Sequence, residues 1–349
     1  MYNRNHLLWG TALLVFLFSF SSIAQQGITL PTVSQHAVVS QEIGIAEITI
    51  DYHRPGVKER DIWGALVPYN QVWRAGANEN TTITFSHPVI IDGKNIPAGT
   101  YGLHMIPTEK EWTIILNKDY RAWGSFFYVE ENDLMRFTTN PVTADHQEWL
   151  TYSYSDVSPN STTAVLHWEK LQIPFKIEVD LHEMVIEDIK VQLTSLPGFF
   201  WQGWNQAANY CYQNGIMLEQ GVEWADRSIQ INKNVTNTFT KAVLLNELGR
   251  SDEADQLKEE AFVDAIENDI NTLGYQFLFA GKMDEAIEIF KKNVEMNPDS
   301  WNVYDSLAEG YMNKGEKELA SKYYSKALEL APENQQERIK GTLTQLKVN

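Results

Sequence analysis

Disulfides, cysteine-ligated metals and phosphate-cradling loops all lack the residues they would need in this sequence. One cysteine, Cys211, stands in 349 residues, which excludes an internal disulfide and a cysteine-built metal site. It sits at a helical packing position in Ala207 to Tyr212, where a thiol is usually a small hydrophobe rather than a nucleophile. Basic residues are scarce, 28 against 46 acidic, for a net charge of −18. Residues 25–180 hold 11 basic and 19 acidic side chains, and residues 181–349 hold 16 and 27. Neither part offers the clustered cations that nucleic acid requires, so no nucleic-acid partner is expected. The histidines show no His-x-His or HExxH spacing, and neither a metal nor a cofactor is expected. A metal would need strands to bring His53, His104 and His167 together, with Glu169 nearby. No GxSxG elbow occurs, Trp123-Gly124-Ser125-Phe126 lacks the second glycine, and Gly93 and Gly99 read as turns.

The apolar run Leu7 to Phe20 follows Arg4 and precedes Ser22-Ile23-Ala24. That order reads as a signal peptide over 1–24, cleaved before Gln25. The run is too short to span a bilayer comfortably. The expectation is an exported protein, periplasmic or secreted, with no stable membrane span after cleavage.

What is present is enough apolar material for two domains: 43% hydrophobic and 12% aromatic residues. From His36 to about Asp180 the hydrophobic period is two, as in Ile45 to Tyr52, Thr81 to Phe85, Trp112 to Leu116 and Leu150 to Tyr154. Asp92-Gly93 between Val89-Ile90-Ile91 and Ile96 is a short-hairpin signal. Short strands with turns and no helix between them predict an antiparallel β-sandwich or open barrel over 25–181, of roughly eight to ten strands. Residues 182–200 read as a connecting helix and linker, stopped at Leu196-Pro197-Gly198.

Beyond it the period is helical and the chain repeats. Gly215, Gly249, Gly281 and Gly315 recur at spacings of 34, 32 and 34. Ala254, Ala286 and Ala320 each follow a glycine by five residues, with Gly221 displaced in the first unit. In the last unit Trp301, Tyr304, Leu307, Ala308, Tyr311, Gly315, Ala320, Tyr324, Ala327 and Pro332 resemble the tetratricopeptide pattern. Small residues let two antiparallel helices approach, and glycine ends the first of them. The fold expected is α+β in two domains, with four helix-pair repeats at about 201–234, 235–266, 267–300 and 301–334 and a capping helix to 349. The inner face of the first helices would carry Asn205, Asn209, Tyr212, Phe239, Val243, Asn246, Asn271, Tyr275, Leu278, Asp305, Glu309 and Met312. That face holds no Lys or Arg to grip a terminal carboxylate, and suits an extended peptide backbone or the other domain.

The stretch Val72-Trp73-Arg74-Ala75-Gly76-Ala77-Asn78-Glu79 is the core of a second resemblance. With Tyr52-His53-Arg54-Pro55, Ile62-Trp63-Gly64, Leu66 to Tyr69, Thr81-Thr82-Ile83, Pro97 to Leu103, Ile106-Pro107, Trp112 to Asn117 and Trp123-Gly124, it resembles the exported bacterial family known as domain of unknown function 2911. The resemblance covers about 45–150. It implies a β domain, export and, often, tetratricopeptide-like repeats behind it; it implies no activity. His53 stands where that family usually has Ser, and Asn70 where it usually has Gly.

Two readings of the Arg74 loop remain open. Tyr52, Arg54, Tyr69, Trp73, Arg74, Asn78 and Glu79 are candidates for an anion- or sugar-binding cluster. Alternatively, Arg74 pairs with Glu79 and fastens an irregular loop. The functional expectation is a non-enzymatic binding or scaffolding protein whose repeats engage a protein partner or the β domain. The alternative is a hydrolase-like enzyme on carbohydrate or peptide, using Arg54, Arg74 and Glu79. The small-molecule ligand, if any, is left unnamed.

Overall fold

In Ala46-Glu47-Ile48-Thr49-Ile50-Asp51-Tyr52 every second side chain is buried and those between face outward, as a pleated strand with one solvated face requires. The same logic builds the N-terminal domain in the computed structural model, which describes residues 30–348, side chains of 347 and 348 excepted. The expected signal peptide lies outside these residues. Ten strands are described: β1 Gln35–Ile43, β2 Ala46–Arg54, β3 Thr82–Phe85, β4 Val89–Ile91, β5 Lys94–Ile96, β6 Gly99–Ile106, β7 Trp112–Asn117, β8 Asp133–Thr139, β9 Val142–Ser158 and β10 Ser161–Glu178. They form two antiparallel sheets, ordered β1-β2-β3-β6-β7-β8 and β5-β4-β10-β9. The β4–β5 turn has positive φ at both Asp92 (49°) and Gly93 (69°), the mirror-image geometry that matches strand twist.

The space between the sheets is filled by alternate residues of both, among them Ile48, Ile50, Ile83, Leu103, Ile114, Leu166 and Ile177. At one end four indoles meet. Trp63 lies 4.8 Å from Trp112 and 5.6 Å from Trp168, and Trp73 stacks on Trp168 at 6.0 Å. Trp63 and Trp73 come from the long β2–β3 connection, so this end of the core is also its anchor.

After β10, helix α1 (Leu181–Gln192) starts from an Asp180 cap whose side chain accepts the Glu183 N–H. Its Met184 belongs to the β core and its Ile186 to the helical one. Eight helices then pair: α2 (Trp201–Asn214) with α3 (Leu218–Ile231), α4 (Val235–Glu247) with α5 (Ser251–Ala261), α6 (Glu267–Phe279) with α7 (Met283–Met296), and α8 (Trp301–Lys314) with α9 (Lys317–Leu330). Helix α10 (Glu333–Val348) packs on α9 and closes the array. Each repeating glycine sits just past its first helix in the left-handed region, at φ 64° to 86°, where a β-carbon would be strained. Ala254, Ala286 and Ala320 are fully buried at the helix crossings.

Gly274 of α6 sets the closest approach. A β-carbon there would lie 2.3 Å from the Phe290 ring on α7. Gly274→Ala is therefore expected to destabilise the repeat domain by about 1–3 kcal/mol, read as a lower urea midpoint at unchanged m-value. A raised midpoint, which helix propensity alone would give, would refute this packing.

Candidate functional site

The first helices of the repeats, α2, α4, α6 and α8, lie side by side in that order. Asn205, Phe239, Asn271 and Asp305 follow one another at the same 34, 32 and 34 spacing as the glycines, so they hold one position on successive helices. Phe239 is fully buried. Asn205, Asn271 and Asp305 each keep one buried side-chain oxygen with no hydrogen-bond partner. Native proteins satisfy such atoms nearly everywhere, and each orphan costs roughly 1–3 kcal/mol. The other Asp305 oxygen accepts from Arg338 of α10 at 2.9 Å. Burial raises the Asp305 carboxyl pKa while Arg338 opposes the shift.

Other expected groove residues are occupied. Tyr212 donates to Glu285 of α7 at 2.6 Å, lies 5.9 Å from the Phe277 ring, and carries Lys282 4.7 Å above its own ring. Tyr275 donates to Glu309 at 2.7 Å. Burial, then these carboxylates, push both phenol pKa values up. Asn246 accepts from Ser251 at 3.3 Å, tying the α4–α5 turn. Asn209 borders a small cavity of about 10 Å³ with Tyr212, Gln276 and Lys282. The first helices supply no cation to this face, yet it is not free of them: Lys282 arrives from the α6–α7 turn and Arg338 from the cap. Sequence periodicity missed both because neither belongs to a first helix.

In the β domain the candidate cluster does not assemble as a unit. Tyr52 is buried, its hydroxyl accepts the Tyr152 N–H at 3.1 Å, and its ring meets Tyr152 edge-on at 4.8 Å. Arg54 is spent on β9, donating to Leu150 O at 2.9 Å and Thr151 Oγ1 at 2.8 Å. The Tyr69 ring covers Gly64. Trp73 is a core anchor whose indole donates to Gly76 O at 3.2 Å. Asn78 donates to Ser34 O at 3.2 Å. The expected Arg74–Glu79 pair is absent: the Glu79 carboxylate lies 3.4 Å from His53 Nδ1 instead. Asn70 takes φ 61°, a conformation that glycine or asparagine adopts most readily. His167 hydrogen-bonds Asp145 O on the other sheet from His53 and His104, and no metal-binding group of three occurs among the described residues.

Arg74 instead lies against Gly124, its guanidinium 5.9 Å from the Trp123 ring. Trp73 exchanges both backbone hydrogen bonds with Met105, each 2.8 Å, while Leu103 N donates to Thr81 O at 2.8 Å. The edge of β6 thus passes from β3 to the Trp73 segment at His104, and residues 74–80 loop out between. Leu103 and Met105 point into the core, so His104 between them lies on the other face of β6, and a β-carbon on Gly102 would meet both His104 Nε2 at 3.2 Å and Asn80 Nδ2 at 3.5 Å. His104 is 1% exposed; burial depresses its pKa to about 4, partly countered by Asp133. Tyr128 packs on it at 5.3 Å and is itself pushed up to about 12, by burial first and then by the Asp133 hydrogen bond. Asn80 was not singled out in the sequence; a polar residue between an irregular loop and a strand carries no periodic signal.

The comparisons with known proteins follow the same division. Residues 34–177 match the model of a family described as Protein of unknown function (DUF2911), and residues 301–334 match the Tetratricopeptide repeat. No curated protein matches the chain. Similar solved structures include MamA from Desulfovibrio magneticus RS-1, at 14% identity over 42% of this chain and 84% of that one, with a TM-score of 0.25. Another is YrrB, described as a TPR protein with an unusual peptide-binding site, at 15% identity over 42% and 76%, with a TM-score of 0.24.

Two outcomes follow from the β-domain geometry. Arg54→Ala leaves the β9 acceptors without their donor and should cost about 1–3 kcal/mol, whereas Arg74→Gln should stay within about 0.5 kcal/mol; chemical denaturation of the two variants compares them. Buried neutral His104 gains its proton only near pH 4, while the unfolded residue gains it near 6.5. The unfolded state binds more protons in that window, so stability is complete above about pH 6.5 and falls by up to about 3 kcal/mol towards pH 4. His104→Gln should flatten that slope, which denaturation across pH would reveal.

Proposed function

We propose that this protein is an exported, non-enzymatic binding or scaffolding protein whose repeats engage an extended segment of a partner protein. The observation that carries the reading is the row of donor-less oxygens on Asn205, Asn271 and Asp305, at one position of the first, third and fourth repeats. A peptide backbone laid across these helices supplies N–H donors at repeating intervals, and side-chain acceptors on a preformed face are a recurring way to hold one. Lys282 and Arg338 at the margins add points that favour an acidic side chain or a carbonyl on the ligand.

The hydrolase-like alternative needs Arg54, Arg74 and Glu79 to converge on one substrate. Arg54 is committed to β9 and Glu79 to His53, so that constellation is not the one we build on. Export rests on the Arg4, Leu7–Phe20 and Ala24 pattern; mass spectrometry of the cell-envelope fraction should find a mature N-terminus at Gln25.

The groove reading separates stability from binding. Replacing Asn271 by Leu removes an orphaned acceptor, so the melting temperature should hold or rise. Binding to the best peptide from an array of unstructured peptides should weaken roughly tenfold, the worth of one or two charge-neutral hydrogen bonds. Peptide binding that survives Asn205→Leu and Asn271→Leu together, or an array with no binder, would sink it.

A further inference from the structure

Between α1 and the β4–β5 hairpin lies an open cleft of about 640 Å³. Asp180 of the cap, then Glu183, Met184, Glu187, Asp188 and Val191 line its helical wall, at the spacing of a single helix face. A face turned towards its own fold is normally apolar, yet this one carries four carboxylates. Asp180 is spent on the cap, Glu187 meets Lys190 at 2.7 Å, and Asp188 accepts from Gln192. The Glu183 carboxylate has no partner among the described residues. Neither Glu187 nor Asp188 lies in the first turn of α1, where the helix dipole would favour an anion.

The hairpin wall has the opposite character. It presents Pro88, Val89, Ile90, Ile96 and Pro97. Ile90 is half-buried between the core-facing Val89 and Ile91, so its side chain lies on the other face of β4. The polar residues on this side are His87, whose Nδ1 lies 2.9 Å from Ser86 Oγ, and Asn95. No lysine or arginine lines the cleft. The two walls cannot close on each other, because a carboxylate pressed against apolar surface loses its hydration and gains no partner.

We propose that this cleft binds a small amphipathic organic cation, with its ammonium between Glu183 and Glu187 and its apolar body against Pro88, Ile90 and Pro97. One charged wall and one apolar wall call for both properties in a single molecule. The volume falls within the range of about 300–1,000 Å³ typical of small-molecule sites. An extended peptide fits less well. β5 is the edge strand of its sheet but only three residues long, and Pro97 beyond it has no N–H to donate. The cleft is independent of the repeat groove.

Methyl NMR of the full chain, titrated with n-octylammonium, octanoate, 1-octanol and ethylammonium, tests the assignment. Octylammonium should shift the methyls of Ile90 on one wall and Val191 on the other. The other three should bind weaker by roughly tenfold or more, since each lacks the cation or the apolar body. Glu183→Gln combined with Glu187→Gln should bring octylammonium down to the octanol level and leave octanol where it was. Both side chains are exposed, so the melting temperature should hold. Should the double variant misfold, the four probes on the unaltered protein decide alone. No octylammonium binding, octanol or octanoate binding as tightly, shifts confined to other methyls, or tighter binding by an end-blocked Leu-Lys-Leu peptide would each overturn the proposal.

Discussion

The β domain depends on one backbone exchange, the pair of hydrogen bonds between Trp73 and Met105. β3 is only four residues long and cannot cover the whole edge of β6. The Trp73 segment completes that edge, and its indole drops into the four-tryptophan end of the core. Whatever lies between Trp73 and Thr81 must then bulge outward. Its carbonyl at Ala75 is fixed by Tyr152 at 2.9 Å and Thr81 at 3.2 Å, so the bulge is short and rigid rather than loose. Buried aromatic mass thereby specifies the placement of a half-buried arginine.

The two domains are joined by the same kind of sharing. Helix α1 is apolar on two sides, lending Met184 to the sandwich and Ile186 to the helices. Gly44, at the β1–β2 turn, leaves room for Leu181 and Met184: a β-carbon there would be 2.5 Å and 2.9 Å from them. His182 reaches Tyr210 of α2 at 3.1 Å. A single helix packed on both sides gives the sandwich and the array a common wall, where a flexible linker would give neither.

Much of this is legible in the sequence. The glycine and alanine spacing marks every helix pair, because the small-residue rule at a helix crossing is steric and local. The strand alternation and the Asp92-Gly93 turn are equally local. The failures share one cause. Charge type and proximity in sequence suggest that Arg74 finds Glu79, but no ion pair forms between them: Glu79 lies by His53 of β2 and Arg74 by Gly124 and Trp123. Likewise Tyr52 and Arg54, read as site residues beside Arg74, serve β9, which lies about a hundred positions away in the chain. Cross-sheet partners of that kind leave no periodic trace. His104 was visible only as one histidine among eight; that it is buried on an outward-facing strand position needs the covering segment, which has no strand or helix pattern of its own.

The Tyr212 contact alters what kind of polymer the repeat array is. Solenoids are usually treated as a row of units, each sensing only its neighbours, so that end units fray on their own. Here a side chain of the first unit reaches across the second to Glu285, Phe277 and Lys282 of the third. The first unit is therefore tied to the third as well as to the second. Opening of the terminal unit must break a bond to the middle of the array, and the cooperative block spans three units rather than two.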